Sequence, residues 1–295
     1  MSSTLKAVSL GLSILCATAL PASAQSDETR NANTPDEPLW EFRIGGSVLN
    51  GPDYPGASDT SVQGVAAPLF IYRGERIRFG EYGVARAIAA KEKRFELDVS
   101  LDAAYSANSD NDGARQGMPD LDYLFQIGPQ AIIRLSDTGW QSDGRKEWRI
   151  HVPVRAVAST DFTSIDHAGY IAEPQLIYQR KYGGELRSSW SVTLFSTFAD
   201  ESLADYWYEV PTQFATATRP AYDASAGYIS TGLRASWTKE LTDKFQIFLT
   251  YQGRSFAGAE NKDGPLLTED FTHAASIAFV WKAAQSKRPA QNDDF

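Results

Sequence analysis

The sequence predicts an all-β protein, a transmembrane antiparallel β-barrel of about twelve strands. Apolar and polar side chains alternate with period two from residue 40 to residue 281, with hardly any helical periodicity between them. No apolar run of about 18 residues follows residue 20, which excludes a membrane-spanning helix. Aromatic residues cluster at the predicted strand ends, as in the interfacial girdles of membrane barrels: Trp40, Tyr72, Tyr105, Trp148, Tyr178, Trp237, Tyr251 and Trp281.

A soluble β-sandwich is the alternative, because its strands also alternate, with the apolar faces packed in a core. The amino terminus favours the barrel, since it has the features of a secretory signal peptide. Lys6 is followed by an apolar segment and then by the small-x-small sequence Ala-Ser-Ala at 22–24. Cys16 lies within that segment, so the mature chain expected from Gln25 onward has no disulfide. The predicted organisation is a signal peptide at 1–24, a disordered leader at 25–38, a barrel at 39–282 and a polar tail at 283–295.

The individual strands follow from where the alternation is unbroken. It is clearest over residues 95–102, where four apolar side chains alternate with four polar ones, and again over residues 148–155. Successive side chains of a strand point to opposite faces, so the apolar set is expected toward lipid and the polar set toward the lumen. The remaining strand candidates are 65–71, 77–84, 125–134, 170–179, 190–194, 233–238, 245–252 and 271–281.

Charged residues on the polar faces are expected to line the lumen. Two interpretations remain open for them. They pair across a narrow lumen and plug it, or they form a charged constriction that selects small solutes. The lumen-lining set is Glu96, Asp98, Asp102, Arg134, Arg149, Arg155, Glu173 and Arg234.

The number of strands depends on the segment 188–210. One long strand there gives eleven, an odd number that bacterial barrels rarely have. A division near Ala199 gives twelve, and the loss of one amino-terminal strand gives ten; twelve is favoured. The last strand ends in Phe279 and Trp281, which we expect to close the barrel in place of Phe295. Long connections at 106–121, 211–225 and 258–270 are predicted to face the cell exterior, with one long inner turn at 136–146.

The chain shows no motif for catalysis, metal binding or a cofactor. It has no Gly-x-Ser-x-Gly elbow, no His-x-x-x-His pair and no phosphate-binding glycine loop. Asp161, Asp166 and His167 share one connection and are the one candidate acid–base cluster, which leaves a hydrolase as a distant alternative. Residues 108–113 resemble the start of a calcium loop, but Pro119 stands where a bidentate Glu is required. The formal net charge of −9 argues against a nucleic-acid partner.

Three segments in order resemble the MipA/OmpV family of outer-membrane proteins. Residues 51–59 are similar to a Pro-Asp-Tyr-x-Gly-Ser loop, residues 67–76 to a Pro-Leu-x-x-x-Tyr-Arg hairpin, and residues 219–227 to a Leu-Pro-x-Tyr-x-Ala-x-x-Gly segment. The residues of the two motif loops are Pro52, Asp53, Tyr54, Gly56, Ser58, Pro220, Tyr222 and Gly227.

The resemblance implies a location in the outer membrane of a Gram-negative bacterium. It also implies a non-enzymatic scaffold for peptidoglycan-remodelling enzymes, with a lytic transglycosylase and a peptidoglycan synthase as partners beside the surrounding lipid. The residues by themselves leave a porin-like small-solute channel as the main alternative to that scaffold.

Overall fold

The structure is a computed structural model that describes residues 38–73, 78–79, 90–91, 94–104 and 113–289. The expected signal peptide and nearly all of the leader therefore lie outside the described residues. So do Tyr105, most of the calcium-like segment 108–113 and the last six residues of the tail. Within the described part of the chain, no helix is long and apolar enough to cross a membrane.

The described chain forms one antiparallel sheet with short helical insertions. The α-helix α1 spans Glu201–Tyr208, and a turn of 3-10 helix follows at Thr212–Phe214. The strands are β1 (Trp40–Pro52), β2 (Thr60–Arg73), β3 (Arg78–Phe79), β4 (Ala90–Lys91), β5 (Phe95–Ala104), β6 (Tyr123–Asp137), β7 (Arg145–Thr160), β8 (Ile165–Ala172), β9 (Gln175–Tyr182), β10 (Ser188–Ala199), β11 (Gly227–Thr242), β12 (Phe245–Ser255) and β13 (Phe271–Gln285).

The strand order is β3-β2-β1-β13-β12-β11-β10-β8-β7-β6-β5-β4, so the first long strand pairs with the last. The two short strands β8 and β9 both pair with β7 and β10, and together they fill one position in the sheet. Pro174 separates them, as expected of a residue that cannot donate to a β-ladder. The thirteen segments therefore occupy twelve positions, which confirms the predicted number.

The predicted division of segment 188–210 into two strands is wrong. Strand β10 does end at Ala199, but the chain then enters α1. Asp200 is the N-cap, because its side chain accepts a hydrogen bond from the backbone N–H of Leu203, and Glu201 adds negative charge in the first turn. Twelve positions arise instead because two short strands extend the described sheet at its ends, β3 beside β2 and β4 beside β5.

The faces of the strands are inverted relative to a soluble protein. Outward apolar side chains are exposed, as for Ile277 at 53% and Leu233 at 56%, whereas inward polar side chains such as Ser191 and Thr238 are buried. A soluble β-sandwich would bury these apolar side chains in its core. The alternative of a soluble sandwich is therefore wrong. The exposed apolar band is the surface that a barrel presents to lipid.

One part of the inner surface is apolar. Ala67, Leu69 and Ile71 of β2 alternate inward, and Leu69 packs against Phe248, Ala278 and Val280 of β12 and β13.

Candidate functional site

The main hydrophobic core lies over one mouth of the barrel and not in its wall. Four connections, 53–59, 113–122, 200–226 and 256–270, pack together there, and we call them the cap. The cap core rests on inward side chains at the loop ends of the strands, including Leu124, Val157 and Ile229. Its own buried members include Tyr54, Met118, Leu121, Leu203, Trp207, Tyr208, Val210, Phe256, Leu266 and Leu267. Long loops mark the extracellular end of such barrels, so the cap covers the outer mouth.

The 51–59 motif loop ties β1 and β2 to the connection 256–270. The Tyr54 hydroxyl donates to the Leu266 carbonyl (2.8 Å), and the Ser58 N–H donates to Thr268 Oγ1 (2.9 Å). The Gly56 carbonyl accepts from the N–H groups of Thr268 and Glu269, both at 3.0 Å. Gly56 has φ +82°, and a Cβ there would lie 2.8 Å from Leu267, so this position requires glycine. Pro52 and Asp53 form the start of the loop, where the Asp53 N–H donates to Asp59 (3.1 Å).

The 219–227 motif segment is held by Asn261, which is fully buried. Asn261 Oδ1 accepts from the Tyr222 hydroxyl (3.2 Å) and from the Ser225 N–H (2.9 Å), and its Nδ2 donates to the Ser225 carbonyl (2.9 Å). Pro220 lies in the same segment and Gly227 begins β11, where φ is +153°. Both motif loops therefore belong to the cap, a convergence that the sequence pattern did not predict.

Sequence reasoning also missed α1 and two arginines that join the cap loops. The Arg219 guanidinium donates to the carbonyls of Ala114 (2.8 Å), Gln116 (2.9 Å) and Phe214 (2.8 Å). Arg115 donates to the Trp207 carbonyl (3.3 Å). Arginines in polar loops carry no periodic signal, which is why the alternation could not identify them.

Burial keeps the cap tyrosines neutral. Desolvation raises the pKa of Tyr54, and it raises the pKa of Tyr206 to about 12. Both phenols therefore remain neutral hydrogen-bond donors even above the pH at which an exposed phenol ionises. Tyr206 donates to the Asp122 carbonyl (3.2 Å), and Tyr208 donates to the Pro55 carbonyl (2.9 Å).

The predicted lumen charges form two groups, and the first lies beneath the cap. Glu173 is 3.6 Å from Arg254 and 3.9 Å from Arg234, and Arg155 is 3.4 Å from Asp102. Arg254 was not among the predicted residues. Both Arg234 and Arg254 also place their guanidinium groups about 4.9 and 4.8 Å from the Phe195 ring centre, in cation–π contact.

The second group lies on β5, β6 and β7. Arg134 is 3.6 Å from Glu96 and 3.8 Å from Glu147, and Arg149 is also 3.8 Å from Glu147. Arg149 donates to Gln179 on β9 (3.2 Å). The backbone of Asp98 pairs with Gln130 in this region, but its side chain lies outside the described part of the structure.

A cavity of about 240 Å³ lies between the first charge group and the cap. Asp102, Arg155, Glu173, Arg234 and Arg254 line it from the strands, and Tyr54, Tyr206 and Trp207 line it from the cap. The cap therefore closes the cavity on one side, and the paired charges border it on the other.

Phe279 and Trp281 lie on the outward face of β13, both close to half exposed. Phe279 stacks on Phe245 with ring centres 6.0 Å apart, and its ring covers Gly46 of β1, where a Cβ would lie 2.6 Å away. These contacts join β13 to both neighbouring strands. The strand continues through Gln285, so the first residues of the expected tail are strand; beyond it, Pro289 forms a bridge with Pro38.

The Asp161 cluster has the geometry of a structural turn. The Asp161 carboxylate accepts from the Thr163 hydroxyl (2.8 Å) and from the N–H groups of Ser164 (2.9 Å) and Thr163 (2.8 Å), and these hydrogen bonds lower its pKa to about 2. Nδ1 of His167 is 3.2 Å from the Val157 carbonyl. Among the described residues, no group of three or more His, Cys, Asp or Glu side chains could hold a metal ion.

The exposed apolar band, the buried polar inner faces and the covered outer mouth define an outer-membrane β-barrel protein. The family described as MltA-interacting protein MipA matches residues 44–283, most of the chain. The chain therefore belongs to that family and lies in the outer membrane of a Gram-negative bacterium. No curated protein sequence matches it.

Several solved structures are similar over most of their length. One is titled "Bacterial polysaccharide outer membrane secretin" (TM-score 0.38, 10% identity, covering 85% of this chain and 100% of that one). Another is a NanC porin (TM-score 0.34, 8% identity, covering 82% and 99%). A third is the COG4313 outer membrane channel from Pseudomonas putida F1 (TM-score 0.34, 12% identity, covering 86% and 99%).

Proposed function

We propose that this protein is a non-enzymatic outer-membrane scaffold that docks peptidoglycan-remodelling enzymes at its periplasmic end. Membership in a family described as MltA-interacting protein supports the proposal, since that description names an interaction and not a reaction. The partner classes are a lytic transglycosylase and, beside it, a peptidoglycan synthase.

The occluded interior is the geometric observation that supports this role. The cap packs over the outer mouth, and beneath it Glu173 joins Arg234 and Arg254 of more distant strands, while the second ion-paired group links the neighbouring strands β5, β6 and β7 along the wall. Removing one partner of such a buried ion pair lowers the stability of the protein by about 3–5 kcal/mol, so the paired charges are expected to stay in place. A barrel whose outer mouth is capped and whose inner charges are paired suits an anchor.

The periplasmic end carries exposed charges that could serve as a docking surface. Arg187 lies in the turn between β9 and β10, 2.7 Å from Glu240 and 2.6 Å from Asp243. A second cluster joins Asp143 to Lys146 (2.8 Å) and to Arg180 (3.2 Å). Charged groups at the rim of an interface govern the association rate and the salt dependence of binding.

The experiment is capture of a purified lytic transglycosylase and a peptidoglycan synthase on the detergent-solubilised, full-length barrel. We expect retention by the wild type, weaker retention by Arg187→Glu, and no change for Lys262→Glu, a matched charge reversal in the cap. Absence of retention by the wild type, or equal loss for both variants, would contradict the proposal.

A small-solute channel is the second candidate, because the charged cavity under the cap is a feature that an inert anchor does not require. Single-channel recording in planar bilayers separates the two. The scaffold requires no steady conductance from the wild-type barrel, and reproducible conducting steps would favour the channel.

A further inference from the structure

We propose that the cavity beneath the cap is a binding site for a small hydroxylated carboxylate, of about the size of one sugar ring. The inference goes beyond the scaffold role and does not depend on it. It concerns the same cavity that favours the channel, but binding does not require conduction.

The first supporting observation is the balance of charge on the strands. Three arginines, Arg155, Arg234 and Arg254, line the cavity from the barrel wall against two carboxylates, Asp102 and Glu173. Glu173 alone is shared by Arg234 and Arg254. Each guanidinium has five N–H donors in a planar fork, so this cluster retains capacity for a further carboxylate.

The second observation is a pair of buried polar atoms. Arg155 is 3% exposed and Gln126 is 7% exposed, and both line the cavity. Neither Arg155 Nε nor Gln126 Oε1 has a hydrogen-bond partner among the described residues. Leaving such groups unpaired costs about 1–3 kcal/mol each, so a partner is expected there. The Arg155 donor fits a ligand carboxylate oxygen, and the Gln126 acceptor fits a ligand hydroxyl.

The rest of the lining suits hydroxyl groups. Polar side chains contributed by three strands line the cavity, and aromatic rings cover it from the cap: Ser61, Gln63, Thr250, Gln252, Thr272, Ser276, Tyr206 and Trp207. At about 240 Å³ the cavity is smaller than the about 300–1,000 Å³ of sites for drug-sized ligands, which restricts the ligand to a small molecule.

Two further carboxylates, Asp53 and Asp122, line the cavity from the cap loops. The excess of positive charge is therefore confined to the strand side of the cavity. A ligand that places its carboxylate against the arginines would turn its neutral hydroxyl groups toward these two aspartates, which accept hydrogen bonds from them.

The test is isothermal titration of the detergent-solubilised full-length barrel with three matched sugars, D-glucuronate, D-glucose and D-glucosamine. We expect saturable binding of glucuronate, with glucose about 10- to 100-fold weaker because it lacks the charge-assisted bonds, and glucosamine weakest. No glucuronate binding at millimolar concentration would overturn the proposal, as would glucosamine binding as tightly as glucuronate.

Three variants connect the binding to the named atoms. Arg155→Gln should weaken glucuronate about 10- to 100-fold and leave the weak glucose affinity nearly unchanged, whereas Gln126→Leu should weaken both sugars. Arg134→Gln, an inward arginine outside the cavity, is the matched control and should leave binding unchanged. Folding of each variant is checked by its faster gel migration without heating. If Arg155→Gln does not fold, Gln126→Leu still decides, because full glucuronate affinity in that variant would overturn the assignment.

Discussion

The cap can be tested through Asn261, since this one side chain makes three hydrogen bonds in a fully buried position. Asn261→Ala removes all three and leaves the Ser225 backbone without its partners. At about 1 kcal/mol for each bond, the cap should lose about 3 kcal/mol, which makes its opening about 100-fold more frequent. The strands contain none of the deleted bonds, so the barrel should remain folded.

Hydrogen exchange measured peptide by peptide is the assay for this prediction. We expect faster exchange in the segments 219–227 and 256–270 of Asn261→Ala, with β1 and β13 still protected. Lys262→Ala, the exposed neighbour, is the control and should match the wild type. The reasoning would be refuted by unchanged exchange in the cap, or by equal acceleration in the strands, because either result means that Asn261 does not hold the cap as a separate unit.

Three further predictions concern the lipid face, the last strand and alkaline pH. Ile277→Arg places a cation toward lipid and should cost about 2–4 kcal/mol in urea unfolding from vesicles, whereas Ala257→Arg in the cap should cost nearly nothing; equal losses would mean that the faces are misassigned. Trp281→Ala should lower the yield of heat-modifiable barrel, whereas truncation after Gln285 should not; the opposite result would assign the assembly signal to the tail. The pKa of Tyr206 in the folded protein, about 12, is above the value near 10 of an exposed phenol, so its stabilisation of the cap is complete below pH about 10 and is lost as the pH rises through about 12. Titration of tyrosinate absorbance together with exchange in the cap checks this, and loss of cap protection at neutral pH would contradict it.

The barrel wall could be predicted from the sequence because strand periodicity is a local property. Each pair of neighbouring side chains shows which faces lipid and which faces the lumen, and Glu96, Arg149, Arg155 and Glu173, which the alternation assigns to the inner faces, are buried. The number twelve was also correct, but it was reached by dividing segment 188–210 into two strands, which the structure does not do. Arg254 was missed because the predicted strand ended at residue 252, whereas β12 extends to Ser255.

The cap could not be predicted in this way, since its contacts join residues far apart in the chain. Tyr54 meets Leu266 and Tyr208 meets Pro55 through single hydrogen bonds, with no repeated spacing to reveal them. The sequence does contain an N-cap residue for α1, Asp200. The helix was missed because it has only eight residues and starts directly after β10, so its apolar residues were assigned to strand as well. The resemblance to a family identified the motif loops without indicating that they lie together.

The pairing of β1 with β13 has a consequence for how the protein is made. A chain that stops before residue 271 leaves both β1 and β12 with an edge that nothing covers, and unpaired backbone groups are not tolerated in hydrocarbon. Such a fragment therefore has no stable place in the bilayer, however well its other strands pair. The hydrogen bonds between β1 and β13 can form only after the last strand has been exported. A truncated chain lacks them and is therefore not expected to remain stably inserted in the membrane.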